Sequence, residues 1–189
     1  MIYYESYSIE ENEMLYGPGK RLVLWVRGCS VKCPGCINET LWKRDFSKTL
    51  TIDFLLNLCD EESVDGVTLH GGEPLDQSEE LFSLAKELRV MGRTVILFTG
   101  YLYKELSIKW QRLLWSVSDI VVAGKFVESK KNIYLQFRGS TNQRVYTHKG
   151  KYKDYKLRDG RTTAIISISD EGEMDIKGFY DYNIDQITK

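Results

Sequence analysis

The stretch RLVLWVRGCSVKCPGC, from Arg21 to Cys36, carries the features that decide the fold. Its first half is a run of aliphatic, β-branched and aromatic residues, which predicts a buried strand ending at Gly28. Its second half places three of the four cysteines of the chain, Cys29, Cys33 and Cys36, within eight residues. Cysteines crowded in this way are typical of a metal or redox site in a reducing compartment, whereas disulfides usually join distant segments.

Strands and helices alternate along the chain on the C-terminal side of this stretch. We expect helices at residues 51–62, 76–91 and 102–117, and further strands at 66–70, 94–98 and 119–123. Short apolar strands that alternate with helices predict a parallel sheet with right-handed crossovers. After about residue 130 the pattern changes to strands alone. We expect these strands at 133–137, 144–147, 162–169 and 174–180, the last two joined as a hairpin by a turn at 170–173.

Length and composition exclude several classes of protein. The 189 residues suit one domain, and the longest uncharged apolar runs are about eight residues, against about 20 for a membrane span. Residues 1–14 hold four Glu and no Lys or Arg, so we expect neither a signal peptide nor a transit peptide. The net charge of −1 predicts no general attraction to nucleic acid or membranes. We therefore expect a cytoplasmic protein.

Three crowded cysteines without an obvious fourth ligand are the central chemical signal. An iron–sulfur cube normally takes four cysteine ligands, and a closed zinc site needs a fourth Cys or His at matching spacing. Cys59 falls on the apolar stripe of a predicted helix, and His70 and His148 have no ligand partner at typical spacing. A [4Fe–4S] cluster on the three cysteines would leave one iron open to a non-protein ligand. A structural zinc loop is the alternative.

Glycine-rich and polar segments follow the other predicted strands. They are Gly71-Gly72-Glu73-Pro74, Thr99-Gly100-Tyr101 and Gly124-Lys125. Because ligands bind at the carboxyl ends of parallel strands, we expect these segments and the cysteine loop on one face. There Glu73 offers a carboxylate to a cationic group, and Lys125 offers a charge to an anionic one. An open iron beside an acid and a base suits a zwitterion such as S-adenosylmethionine, a cofactor of radical chemistry.

These motifs together resemble the radical SAM superfamily and, within it, the anaerobic ribonucleotide reductase activating proteins. The broader resemblance rests on CxxxCxxC after the first strand and GGEP after the second. The closer one covers about residues 14–147. It rests on YGPGKR at 16–21, GC at 28–29, CPGC at 33–36 with Asn38 and Trp42, FTGY at 98–101, VAGKF at 122–126 and FRGSTNQR at 137–144.

The resemblance implies an α/β fold, an incomplete (βα) barrel of the radical SAM type with parallel strands, at residues 1–147. Residues 148–189 would form a β-rich C-terminal extension. It implies that Cys29, Cys33 and Cys36 hold a [4Fe–4S] cluster. It also implies that the GGE segment meets the methionyl amine of S-adenosylmethionine. The remaining candidates for cofactor binding are Pro74, Thr99, Lys125 and Arg138.

The reaction implied by the resemblance is glycyl-radical activation. The reduced cluster would cleave S-adenosylmethionine to methionine and a 5′-deoxyadenosyl radical. That radical would take a hydrogen from a glycine Cα of a large partner enzyme. A reductant such as flavodoxin or ferredoxin would supply the electron, and an oxygen-labile cluster implies an anaerobic setting.

Two departures from the family leave other functions open. Ile37 stands where an aromatic residue usually follows the third cysteine, and about 40 residues follow the FRGSTNQR block. One alternative is a radical SAM enzyme acting on a peptide, nucleotide or small metabolite, with residues 148–189 as a substrate clamp. The other is a non-enzymatic metal-binding module. It would dock a partner or nucleic acid through the basic stretch at 149–161, where lysines alternate with tyrosines.

Single residues also have ordinary structural interpretations. Glu73 could be solvated near a helix N-terminus, Thr99 and Lys125 could be plain loop residues, and Arg138 could be a fork that binds carbonyl groups. Cys59 is expected to be a small core residue. His70, at a strand end, is expected to be structural.

Overall fold

A seven-stranded mixed sheet organises the computed structural model, which describes residues 1–147, 150–161, 163–169, 172 and 174–179. Its strands are β1 (Ile2–Glu10), β2 (Arg21–Val26), β3 (Thr49–Leu50), β4 (Gly66–Gly71), β5 (Thr94–Thr99), β6 (Ile120–Ala123) and β7 (Arg144–Thr147). The α-helices are α1 (Glu13–Tyr16), α2 (Ile52–Glu61), α3 (Ser78–Val90) and α4 (Ile108–Val117). Short 3₁₀ turns lie at Glu39–Leu41, Pro74–Gln77, Tyr103–Glu105, Glu128–Lys130 and Gly150–Tyr152. A separate hairpin consists of β8 (Thr163–Ile168) and β9 (Met174–Phe179).

The centre of the sheet confirms the predicted parallel arrangement. The strand order is β3-β1-β2-β4-β5-β6-β7, and the pairs β2–β4, β4–β5 and β5–β6 are parallel. Antiparallel pairs add β1 and β3 at one edge and β7 at the other. Because the two edge strands β3 and β7 do not pair with each other, the described strands form an open mixed α/β sheet and do not close into a barrel.

The structure differs from the sequence-based expectation at β1 and at residues 133–137. β1 lies antiparallel to β2, an addition that the alternation of strands and helices did not indicate. The strand expected at 133–137 is wrong: the segment forms turns, and Phe137 has a φ of 65°. β7 already takes the edge of β6, so the amide of Gln136 donates to Asp159 Oδ1 (3.0 Å) instead. The expected turn at 170–173 falls outside the described residues, except for Gly172.

Two helices begin later than the sequence predicts, because capping residues set their first turns. The helix expected from residue 102 begins at Ile108, because the Ser107 side chain caps the amide of Trp110. The helix expected from Asp76 begins at Ser78, after a 3₁₀ turn whose N-cap is Glu73. No helix among the described residues is long and apolar enough to span a membrane.

Both faces of the sheet are covered. One face packs against α2, α3 and α4, and Cys59 is fully buried in this core, as expected. On the other face a smaller cluster forms around Ile96, Ile120, Val122, Phe137 and Tyr152. Tyr155 and Leu157 pack onto this second cluster. Residues of the 150–161 segment therefore belong to the packing of the main sheet.

A guanidinium group is buried at the amino end of the parallel strands. Arg21 is fully buried, and its neighbours are neutral acceptors: Thr68 Oγ1 (2.7 Å), Val67 O (2.6 Å), Thr94 Oγ1 (3.0 Å) and Pro18 O (3.2 Å). Burial lowers the pKa of Arg21 to about 10, which keeps it charged at neutral pH. Its hydrogen bonds connect β2, β4 and β5 at the end opposite the cysteine loop.

Replacing this guanidinium tests its structural role. We expect Arg21→Ala to lower the free energy of unfolding by about 3 kcal/mol, because it leaves buried acceptors without a donor and opens a cavity. Arg112, which is exposed on α4, provides the matched control. Chemical denaturation of Arg112→Ala should stay within about 0.5 kcal/mol of the wild type. Equal effects of the two substitutions would contradict a role for the buried network.

Candidate active site

A cavity of about 590 Å³ opens at the carboxyl ends of β4, β5 and β6. Its lining includes Cys36 from the cysteine loop, Gly71 and Gly72 after β4, and Thr99 and Gly100 after β5. Further lining residues are Gly35, Ile37, Asn38, His70, Phe98, Val122, Gly124, Phe126, Glu128, Lys131, Ile133, Phe137, Gly139, Gln143 and Gly178. The strand-end segments that the sequence singled out thus meet at one cavity.

The cysteine loop leaves β2 and borders this cavity. The amide of Cys29 donates to Trp42 O (3.1 Å), and the amide of Cys36 donates to Cys33 O (3.1 Å). Burial raises the pKa of the Cys29 and Cys33 thiols, while the Phe126 amide and the Lys125 charge oppose that rise at Cys33. Among the described residues, no three His, Cys, Asp or Glu side chains converge on a metal-binding geometry. The three thiols therefore lie on one loop but do not form a metal-binding group there.

Gly71 and Gly72 are required by backbone packing. A Cβ at Gly72 would overlap the carbonyl of Gly28, and one at Gly71 would overlap the backbone of Val26. The amide of Gly72 donates to Val26 O (2.8 Å), and the amide of Glu73 donates to Gly28 O (2.8 Å). The turn after β4 is therefore bonded directly to the start of the cysteine loop.

The Glu73 carboxylate is buried inside the wall of the cavity. Glu73 is 1% exposed, and its oxygens accept from Thr99 Oγ1 (2.8 Å), the Gly100 amide (2.7 Å) and the Leu75 amide (2.9 Å). Burial raises the pKa of Glu73 to about 7 against the effect of these donors. The alternative of a solvated Glu73 side chain is therefore wrong. The side chain ties the turn after β4 to the turn after β5, and Thr99 takes part in the same connection.

A second polar cluster, which the sequence analysis missed, connects the cysteine loop to both turns. Asp76 accepts from the amide of Ser30 (2.6 Å) and from its hydroxyl (2.8 Å). The hydroxyl of Tyr101 lies 2.8 Å from the Ser30 hydroxyl and donates to Asp76 (3.3 Å). Ser30 directly follows Cys29, so this cluster holds the loop next to its first cysteine. Only the polar character of the three residues could have suggested it.

An aromatic wall forms another side of the cavity. The His70 ring lies 4.5 Å from the ring of Trp25 and 4.3 Å from that of Phe98, centroid to centroid. Burial lowers the pKa of His70 to about 4, and its Nδ1 accepts from the Gly71 amide (2.6 Å). His70 is therefore a neutral wall residue.

The remaining candidates take different positions. Pro74 is buried at the start of the 3₁₀ turn, and Lys125 is exposed. Asn142 and Gln143 donate to the carbonyls of Lys125 (2.9 Å) and Gly124 (2.8 Å), so the FRGSTNQR block supports the turn after β6.

Arg138 belongs to the other side of that block. Its guanidinium forms an ion pair with Asp159 and is absent from the described lining of the cavity. This geometry agrees with a structural fork, whereas Gln143 from the same block does line the cavity.

Comparisons with known proteins agree with the motifs. The family model described as a 4Fe-4S single cluster domain matches residues 15–146. The anaerobic ribonucleoside-triphosphate reductase-activating protein of Escherichia coli (strain K12) is 31% identical over 155 residues, covering 77% of this chain and 98% of that protein. The protein of the same name from Enterobacteria phage T4 is 33% identical over 143 residues, covering 72% and 89%. Among solved structures, QueE from Escherichia coli matches 52% of each chain with a TM-score of 0.45 and 18% identity, too low a likeness to carry an argument.

The raised pKa of Glu73 predicts an unusual pH dependence of stability. The folded chain keeps a proton on Glu73 between about pH 4.5 and 7, where the unfolded chain has lost it. Stability from this group is therefore full below about pH 4.5 and lost as the pH rises through about 7, by up to about 3 kcal/mol. The difference in unfolding free energy between wild type and Glu73→Gln, measured at several pH values, should decline over this interval. A difference that rises with pH would contradict the buried, protonated carboxyl group.

The Ser30–Asp76–Tyr101 cluster predicts a role in ordering the cysteine loop. We expect Asp76→Ala to reduce the iron bound after anaerobic reconstitution to less than about half of the wild-type amount, because Ser30 loses two hydrogen bonds beside Cys29. Asp53→Ala, on the first turn of α2, is the matched control and should bind iron normally. Normal iron binding by Asp76→Ala would show that the loop does not depend on this cluster.

Proposed function

Because the chain belongs to the family of anaerobic ribonucleoside-triphosphate reductase-activating proteins, we propose that it installs a glycyl radical on such a reductase. It is a radical SAM enzyme that uses a [4Fe–4S] cluster and S-adenosylmethionine. The observation that carries the proposal is the family match over residues 15–146, which spans the cysteine loop and every turn that lines the cavity.

The thiols present suit an iron–sulfur cluster. Thiolate sulfur is the ligand type that such clusters take, and Cys29, Cys33 and Cys36 supply three of them on one loop. The fourth cysteine, Cys59 on α2, is fully buried in the core, and the ring nitrogen Nδ1 of His70 already accepts a hydrogen bond from the Gly71 amide. We propose that the three loop cysteines hold the cluster and leave one iron to S-adenosylmethionine.

The cavity beside Cys36 is the proposed site of S-adenosylmethionine. Its volume lies within the range of about 300–1,000 Å³ typical of small-molecule sites. We propose that the backbone of Gly71 and Gly72 faces the methionyl amine. Glu73 supports that turn indirectly, because its side chain accepts from Thr99 and Gly100 and thereby fixes the position of the turn. The exposed ammonium of Lys125 is proposed to face an anionic group.

The wall of the cavity suits a reactive intermediate. A [4Fe–4S] cluster held by Cys29, Cys33 and Cys36, together with S-adenosylmethionine, would supply a 5′-deoxyadenosyl radical for removal of a hydrogen atom from the glycine of the partner. His70, Phe98 and Phe137 give the wall an apolar character that excludes water. Apart from Cys36, a proposed ligand, the described lining contains no thiol or phenol that could donate a hydrogen atom in competition.

The partner and its reductant follow from the family. The substrate is the glycyl-radical reductase, and a reductant such as flavodoxin or ferredoxin is the expected source of the electron. We propose a cytoplasmic, anaerobic setting for the reaction. We also propose that residues 1–147 form the radical SAM unit as a partial barrel, with an extension at 148–189.

The nucleic-acid alternative receives no support from the basic stretch at 149–161. Tyr152 is buried, and the ring of Tyr155 stacks on Phe137 at 6.0 Å, so neither aromatic ring is presented to a base. Lys151 pairs with Asp65, and Arg158 pairs with Glu13. Lys149 and His148 lie outside the described residues.

Removal of a proposed ligand is the direct test of the activity. We expect the wild type to bind about four irons per chain after anaerobic reconstitution. After reduction it should release 5′-deoxyadenosine from S-adenosylmethionine. Cys33→Ala should abolish that release, whereas Cys59→Ala, which replaces the buried fourth cysteine, should retain it even if the chain is less stable. A zinc-only protein, or cleavage that survives in Cys33→Ala, would overturn the proposal.

A further inference from the structure

The C-terminal hairpin of β8 and β9 lies outside the family match, which ends at residue 146. The Escherichia coli (strain K12) relative, aligned over 98% of its length, accounts for 77% of this chain. The function of the hairpin is therefore not explained by the activity that the relatives' name describes.

The hairpin borders the cavity through Gly178. In an antiparallel pair, opposite residues share a face, and alternate residues of each strand return to it. Ala164 pairs with Gly178, and Ile168 pairs with Met174. Gly178 lines the cavity, and Ile166, Ile168 and Met174 lie on the same face of the hairpin as this residue.

Farther along the hairpin from Gly178, the same face carries exposed apolar side chains. Ile166 is 54% exposed, Ile168 is 67% exposed and Met174 is 40% exposed. We call Ile166, Ile168 and Met174 the hairpin strip. Large apolar side chains exposed side by side mark an interaction surface more often than a plain solvated face. Among the described strands β8 and β9 pair only with each other, and a lone two-stranded hairpin is marginally stable without further packing.

We propose that the hairpin strip is the docking surface for the glycine-bearing segment of the reductase. This inference rests on the proposed function, because the radical is generated in the cavity and the glycine Cα must reach it. A segment that enters the cavity past Gly178 runs along the apolar face that continues from this residue. Gly178 itself has a φ of 116°, which a residue with a Cβ rarely adopts.

The physical basis of recognition is burial of apolar side chains. The hairpin strip fits an extended segment with apolar residues on either side of the reacting glycine. Burying large apolar side chains at such an interface favours binding. A charge placed on the strip should therefore weaken docking without changing the chemistry within the cavity.

The test compares charges on the strip with a charge elsewhere. The double variant Ile168→Glu/Met174→Glu is compared with Ile108→Glu, since Ile108 is an equally exposed apolar residue (63%) at the start of α4. Glycyl-radical formation is followed by electron paramagnetic resonance at several concentrations of the reductase of the same organism. Cleavage of S-adenosylmethionine without reductase is measured in parallel.

The expected result is a rise of about tenfold or more in the KM for reductase in the double variant alone. Cleavage without reductase should stay within about twofold of the wild type. An unchanged KM would overturn the proposal, as expected if a second copy or the chain's own residues 180–189 covered the strip. Loss of a wild-type dimer in the double variant with an unchanged KM would assign the strip to a second copy. If the wild type forms no glycyl radical at all, the proposed function fails and not the docking surface.

Discussion

The close approach of two turns is the constraint on which the site depends. The turn after β4 packs so tightly against the start of the cysteine loop that Gly71 and Gly72 leave no room for a side chain. Amide-to-carbonyl bonds fix this contact, and the buried carboxylate of Glu73 extends it to the turn after β5. Three segments distant in sequence thereby surround one cavity, although the three thiols have not converged on a metal-binding geometry.

Much of the architecture is predictable from local sequence. The apolar runs at β2, β4, β5 and β6 specify buried parallel strands, because α2, α3 and α4 alternate with them along the chain. β1 was not anticipated, since its polar and aromatic residues alternate irregularly and a bulge interrupts its pairing with β2. Residues 133–137 have strand-like composition, yet their hydrogen bonds go to residues 159 and 160, a contact that composition cannot indicate.

In the site, the motifs predict which loops meet, but they do not predict the contacts of individual side chains. CxxxCxxC and GGEP predict which loops come together, because parallel strands end on one side of a sheet. They do not predict that the buried side chain of Glu73 accepts from Thr99 and Gly100 or that Asp76 holds Ser30, because both depend on contacts between separate loops. Arg138 belongs to a block typical of the family, but its ion pair with Asp159 comes from the segment that follows that block.

The central claim is that S-adenosylmethionine binds an open iron beside Gly71 and Gly72. The most direct measurement is electron–nuclear double resonance of the reduced, reconstituted protein with S-adenosylmethionine labelled with ¹⁵N at its amine. The account predicts a ¹⁵N hyperfine coupling that shows the amine bound to the cluster. A spectrum without that coupling, from protein with a full cluster and saturating S-adenosylmethionine, would contradict it.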